Sequence, residues 1–226
     1  MSAEQLIFDL GKNSAYKRED FLAAPGNAAA LGFIQKWPEW PVNTAVIFGP
    51  KASGKTHILH VWQNHSAACI ITAADMTQDG LMRLQASFPK TLGIDDIDRL
   101  VAGDSDRQDF MFHLLNEVKA HDAALLMTAT HAPQDWDVSL MDLDSRIKAL
   151  QLLPIEAPDD TLLFGLFVKL LHDRQLHVDP DVVPFTVSRL ERSCAAVINA
   201  VEKIDAASLK EKRRITLPFV KKTLDI

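Results

Sequence analysis

The eight residues Gly49-Pro50-Lys51-Ala52-Ser53-Gly54-Lys55-Thr56 constrain this chain more than any other stretch, because they carry the spacing G-x-x-x-x-G-K-T between an apolar run and a helical pattern. A strand that enters such a turn and leaves it as a helix gathers backbone N–H groups around an anion, and the helix N-terminus adds positive potential. Glycine at 49 and 54 lets the backbone approach phosphate oxygens closely. Pro50, Lys51, Ala52 and Ser53 complete the cradle, and His57 follows it into the helix. Lys55 is placed to reach the terminal phosphates and Thr56 to ligate magnesium, so the segment is read as a P-loop for ATP or ADP with Mg2+.

The flanking pattern fits an α/β fold. Residues 44–48, 68–72, 91–94 and 124–128 are apolar runs too short for helices and suit the strands of a buried parallel sheet. Between them, 57–65, 77–87 and 106–121 repeat apolar residues at three- and four-residue spacing, as in Phe110, Leu114, Leu115 and Val118, and are predicted as crossover helices. After Ala157-Pro158 the β-like runs stop. Residues 159–174, 180–190, 193–211 and 218–224 read as helices, with Asp159 or Asp160 as a cap and Pro180 and Pro218 at first helical positions. The expected organisation is a leader over 1–20, a nucleotide-binding core over 21–156 and a small all-helical domain over 157–226.

The second half of the phosphate site is a strand ending in acid, 91–96. Asp95 would hold the magnesium shell and Asp96 would orient or activate the attacking water; the other reading is that Asp95, Asp96 and Asp98 solvate and cap a loop. His57 and His60 share a helix face, but no glutamate lies between them to act as a zinc-site base, so no metal besides magnesium is expected.

Composition narrows the function classes. With 47% hydrophobic and 24% charged residues over 226 positions, the chain is an ordinary globular protein. Its first ten residues include Glu4 and Asp9, with no basic start and no long apolar run, which argues against a signal peptide or a membrane span and for the cytoplasm. Cys69 and Cys194 lie far apart without metal-ligand spacing and are expected to be buried free thiols. A net charge of −6 offers no broad footprint for DNA, so a protein partner is the first expectation and any contact with DNA would be indirect.

The order of these motifs resembles the AAA+ domain of the DnaA family of replication initiators, and more closely the short regulatory, Hda-type branch of that family that inactivates the initiator. FLAAPGNAAA from Phe21 to Ala30 resembles the segment that contacts adenine, which implies Phe21 and Asn27 as base contacts. GKTHILH from Gly54 to His60, IDDIDRLVAG from Ile94 to Gly103, LLMTATHAP from Leu125 to Pro133 and ITLPFVKKTL from Ile215 to Leu224 are similar to the phosphate loop, the acidic strand, the sensor 1 strand and the carboxyl terminus. LDSRIK, 143–148, resembles the segment that holds the arginine finger, which implies Arg146; the other reading of Arg146 is an ion pair with Asp142 or Asp144. The sequence departs from the family at two places. Ala195 stands where a sensor 2 arginine falls, with Arg192 one turn earlier, and Thr130-His131 replaces an Asp-Arg pair, leaving Thr128 or Thr130 near the γ-phosphate.

The resemblance implies a fold with a P-loop AAA+ core, its parallel sheet between helices, and a helical lid. It implies a regulator that binds adenine nucleotide, docks on the initiator DnaA as a partner, contributes Arg146 and promotes hydrolysis, with slow hydrolysis of its own and possible homo-oligomers. The chain is expected to end at the lid without the initiator's basic DNA-reading domain. Gln5, Leu6, Phe8 and Leu10 resemble the short peptide that grips the polymerase sliding clamp, Gln5 polar and the others filling an apolar groove; the same cluster could instead form a short strand or close over the protein's own core. Rival classes are a DNA-remodelling ATPase, such as a helicase loader or transposition helper, and a small-molecule P-loop kinase.

Overall fold

The computed structural model describes residues 25–211 and 214–226. Gln5, Leu6, Phe8, Leu10 and Phe21 therefore lie outside the described residues. After a 3-10 turn at Pro25–Asn27 the chain runs through α1 (Ala28–Gln35), β1 (Thr44–Phe48), α2 (Lys55–Ser66), β2 (Cys69–Ile71), α3 (Gln78–Ala86), β3 (Thr91–Ile94), α4 (Ile97–Val101), α5 (Ser105–Ala120) and β4 (Ala124–Ala129). It continues through α6 (Met141–Ile147), β5 (Gln151–Pro154), α7 (Asp160–Asp173), α8 (Val182–Val187), α9 (Cys194–Glu211) and α10 (Leu217–Leu224).

The five strands form one parallel sheet in the order β2-β3-β4-β1-β5. Every residue of β3 and β4 is buried, as a sheet covered on both faces requires. Alternation along β1 separates the two layers. Val46 packs on one face with Phe110, Met111, Leu114, Leu143 and Ile147 from α5 and α6, while Ala45 and Ile47 pack on the other with Phe33, Ile58, Leu59 and Trp62 from α1 and α2. A separate apolar core holds α7 to α10 together, built on Leu163, Phe167, Leu170, Val197, Val201 and Val220.

Several details depart from the sequence pattern. β5 was not among the expected strands: its four residues include an exposed Gln151 and end in Pro154, which an edge strand accommodates. α8 begins at Val182, with Pro180 in the preceding turn and Pro184 inside the first helical turn, where no N–H is needed. Pro218 is the second residue of α10. Asp159 rather than Asp160 caps α7, accepting from the Leu162 N–H at 2.7 Å. Cys69 is exposed and Cys194 half-buried, so neither is the buried thiol expected: β2 is an edge strand, and Cys194 opens α9 beside a cleft. No helix among the described residues is long and apolar enough to cross a membrane.

Candidate functional site

The phosphate loop leaves the C-terminal end of β1. The Gly49 N–H donates to the Ala129 carbonyl at 3.2 Å, and a Cβ on Gly49 would lie 2.0 Å from the Ile155 carbonyl oxygen just past β5, so only glycine lets the loop pass there. Ala52 and Gly54 take left-handed φ values of 61° and 96°, which curl the loop back to start α2. Lys55 is buried, and its Nζ donates to the carbonyls of Gly49 at 2.8 Å and Pro50 at 2.7 Å. Desolvation lowers the pKa of this ammonium, while the carboxylates of Asp96, Asp95 and Asp98 oppose the shift. The buried Ser53 hydroxyl has no hydrogen-bond partner among the described residues, as suits a group waiting for an anion's oxygen.

The acidic strand meets this loop through hydroxyls. Thr56 Oγ1 lies 2.9 and 3.1 Å from the two carboxylate oxygens of Asp95. Thr128 Oγ1 donates to Asp95 Oδ1 at 2.5 Å and accepts from the Asp96 N–H at 2.9 Å. The Thr56–Asp95 pair is an all-oxygen donor set of the kind that a magnesium ion takes, so the residues fit that ion. No group of three or more His, Cys, Asp or Glu suited to a metal occurs among the described residues.

The three acids have different surroundings. Asp98 is buried, and its Oδ2 accepts from the N–H groups of Thr130 at 3.1 Å and His131 at 3.0 Å and lies 2.9 Å from His131 Nδ1. It ties the turn after β4 onto α4. Asp96 lines the cleft in a left-handed conformation, φ 50°, with the Arg99 guanidinium 3.6 Å from its carboxylate. Thr128 is fully buried and touches Asp95 and Asp96, whereas Thr130 lines the cleft.

The cleft is a cavity of about 480 Å³ between the phosphate loop and the lid. Asn27, buried, and His57 line its core side. On the lid side stand Leu162 and Leu166 of α7 and Cys194, Ala195 and Ile198 of α9. Ala195 thus occupies a cleft-facing position, and Arg192 is turned aside to donate to Asp160 at 2.8 Å. Among the described residues, the lid presents no cation to the cleft.

Arg146 lies elsewhere, in the last turn of α6. Its Nη1 donates to Asn116 Oδ1, and its guanidinium carbon sits 4.6 Å from the centre of the Phe112 ring. Both partners are on α5. Asp144 accepts from Lys148 at 2.7 Å, and no ion pair joins Arg146 to Asp142 or Asp144 among the described residues. The loop-capping reading offered for Asp95, Asp96 and Asp98 holds for Asp98, while sequence reasoning missed Asn116 and Phe112. The one signal available was the four-residue spacing of Phe112 and Asn116 on a predicted helix.

Comparisons with known proteins agree with this geometry. Residues 167–224 match the family described as Hda, lid domain. The fold is similar to domain III of the Thermotoga maritima replication initiation protein DnaA, with a TM-score of 0.79 at 20% identity over 98% of each chain. AMPPCP-bound DnaA from Aquifex aeolicus superposes with a TM-score of 0.72 at 20% identity, covering 86% of this chain and 66% of that one. A protein of Haemophilus influenzae, itself described as uncharacterized, is 27% identical over 187 residues, 80% of each chain.

Proposed function

We propose that this chain, a DnaA/Hda-family AAA+ protein by its fold and its lid, binds adenine nucleotide in its own cleft and acts through Arg146 on the nucleotide of a partner, the initiator DnaA. The observation that carries this reading is the placement of Arg146. The side chain is exposed, does not line its own cleft, has no carboxylate partner among the described residues and is steadied by Asn116 and Phe112. A guanidinium presented this way can stabilise the charge that develops as a phosphoryl group transfers, an effect of about 10³–10⁵ in rate where arginine fingers serve GTPases.

In its own cleft the chain supplies backbone N–H groups and Lys55 to the phosphates, with Asn27 near the base. Bound magnesium would neutralise phosphate charge, held by Thr56 and Asp95. Asp96, which lines the cleft, would orient or activate the attacking water. The AMPPCP bound by Aquifex aeolicus DnaA supports the adenine reading. Hydrolysis of the initiator's ATP would switch the initiator off, and the leader residues Gln5, Leu6, Phe8 and Leu10 would bring the regulator to the sliding clamp. Arg146→Ala is expected to retain nucleotide binding yet fail to convert DnaA-bound ATP to ADP on clamp-loaded DNA, and Arg146→Lys to rescue poorly, because a point charge lacks the guanidinium fork. Full activity of the alanine form would refute the assignment.

A further inference from the structure

The cleft contains a cation that the family resemblance does not assign. Arg99 sits on α4, three residues after Asp96, and lines the cavity beside Asp96 and Thr130. Its side chain is 66% exposed, and its single ion pair, to Asp96 at 3.6 Å, is too long for a hydrogen bond. The guanidinium makes no hydrogen bond among the described residues. An exposed pair of this kind contributes roughly 0–1 kcal/mol, so the arginine can leave Asp96 for a stronger anion.

The rest of the cavity says which anion. Lys55 and Thr56, at the loop end of α2, are the residues that would hold the end of a diphosphate, and across the same cavity from the loop stand Asp96, Thr130 and Arg99, where a third phosphate would reach. A phosphate there would lie beside the Asp96 carboxylate, and like charges so close favour a further cation besides the Lys55 ammonium and the magnesium ion. Among the described residues the lid supplies none, since those facing the cleft are Leu162, Leu166, Cys194, Ala195 and Ile198.

We propose that Arg99 is the triphosphate-reading residue of this cleft: it pairs with Asp96 when a diphosphate is bound and shifts onto the terminal phosphate of a nucleoside triphosphate, supplying from the core side a cation that none of the described lid residues presents to the cleft. The inference rests on the nucleotide reading of the cleft. The planar guanidinium suits the task, because it offers a fork of donors to phosphate oxygens.

The test is calorimetry of the full chain with Mg2+, titrating ADP and the non-hydrolysable triphosphate AMPPCP into the parent, Arg99→Ala and Arg99→Lys. Arg99→Ala is expected to weaken AMPPCP about tenfold or more, the worth of a charge-assisted hydrogen bond, and to leave ADP unchanged, with lysine intermediate. A merely structural role would move both nucleotides together, and that result, or no change in either, overturns the proposal. If the parent itself binds neither nucleotide, the reading of the cleft falls and takes this inference with it; that outcome is read on the parent alone, so the two failures are distinguishable.

Discussion

Lys55 has its charge fixed at the mouth of the phosphate loop. Its ammonium is buried and donates to the carbonyls of Gly49 and Pro50, and its N–H donors are the groups that a polyphosphate would claim. Lys55→Ala is expected to lower adenine-nucleotide affinity by about 3 kcal/mol, more than a hundredfold, measured by calorimetry; equal affinity in mutant and parent would refute the site. Gly49 is fixed by sterics instead. Gly49→Ala drives a methyl into the Ile155 carbonyl, 2.0 Å from the ideal Cβ, so β1 and the chain after β5 must separate. The expected cost is about 1–3 kcal/mol, read as a fall of several degrees in Tm. An unchanged Tm would mean that the strand end relaxes freely.

At the scale of elements, the helix that carries Arg146 is set by a residue far from it. Gln108 on α5 is buried, and its Nε2 donates to the carbonyls of Val101 at 2.9 Å and Asp137 at 3.2 Å. Its Oε1 accepts from the Ser139 N–H, the Ser139 hydroxyl and the Leu140 N–H at 3.0–3.2 Å. These bonds join α4, α5 and the segment entering α6, so every polar atom of the amide is satisfied. Gln108→Ala leaves buried backbone groups without partners and is expected to cost about 3 kcal/mol in denaturant unfolding. Asn116→Ala acts differently. It frees the Arg146 guanidinium without opening the core, so stimulated hydrolysis by DnaA should fall severalfold while the mutant's own nucleotide affinity and Tm stay as in the parent. Loss of stability in place of activity would assign Asn116 a structural role.

At the scale of the whole molecule, the cavity lies where two apolar cores meet, one around the sheet and one among α7 to α10. A ligand in that cleft touches both sides and binds the folded state alone. ADP at a hundred times its Kd is therefore expected to stabilise the chain by about 2.7 kcal/mol, seen as a rise in Tm that Lys55→Ala abolishes. The leader is tested at the same scale: Gln5→Ala with Phe8→Ala should abolish clamp binding with Tm unchanged, whereas a large loss of stability would mean that the apolar cluster belongs to the core.

The sequence by itself determined the parts of this protein whose chemistry is contiguous. The phosphate loop, the acid at the end of β3 and the crossover helices each lie within one short window, where spacing alone fixes which groups converge. The contacts that orient those groups span the fold. Asp98 holds His131 from 33 residues away, Gln108 holds Ser139 from 31, and Asn116 holds Arg146 from 30. No local period encodes such a pair, because it depends on which helix the sheet brings alongside which loop. β5 escaped for a related reason: with Gln151 exposed and Pro154 at its end it carries no apolar run like that of β2 or β3, and only pairing with β1 makes it a strand. Tertiary structure also decided where each hydroxyl lies. Thr128, inside β4, is fully buried, whereas Thr130, past the end of that strand, lines the cleft, because the turn that Asp98 holds carries the chain out to that wall.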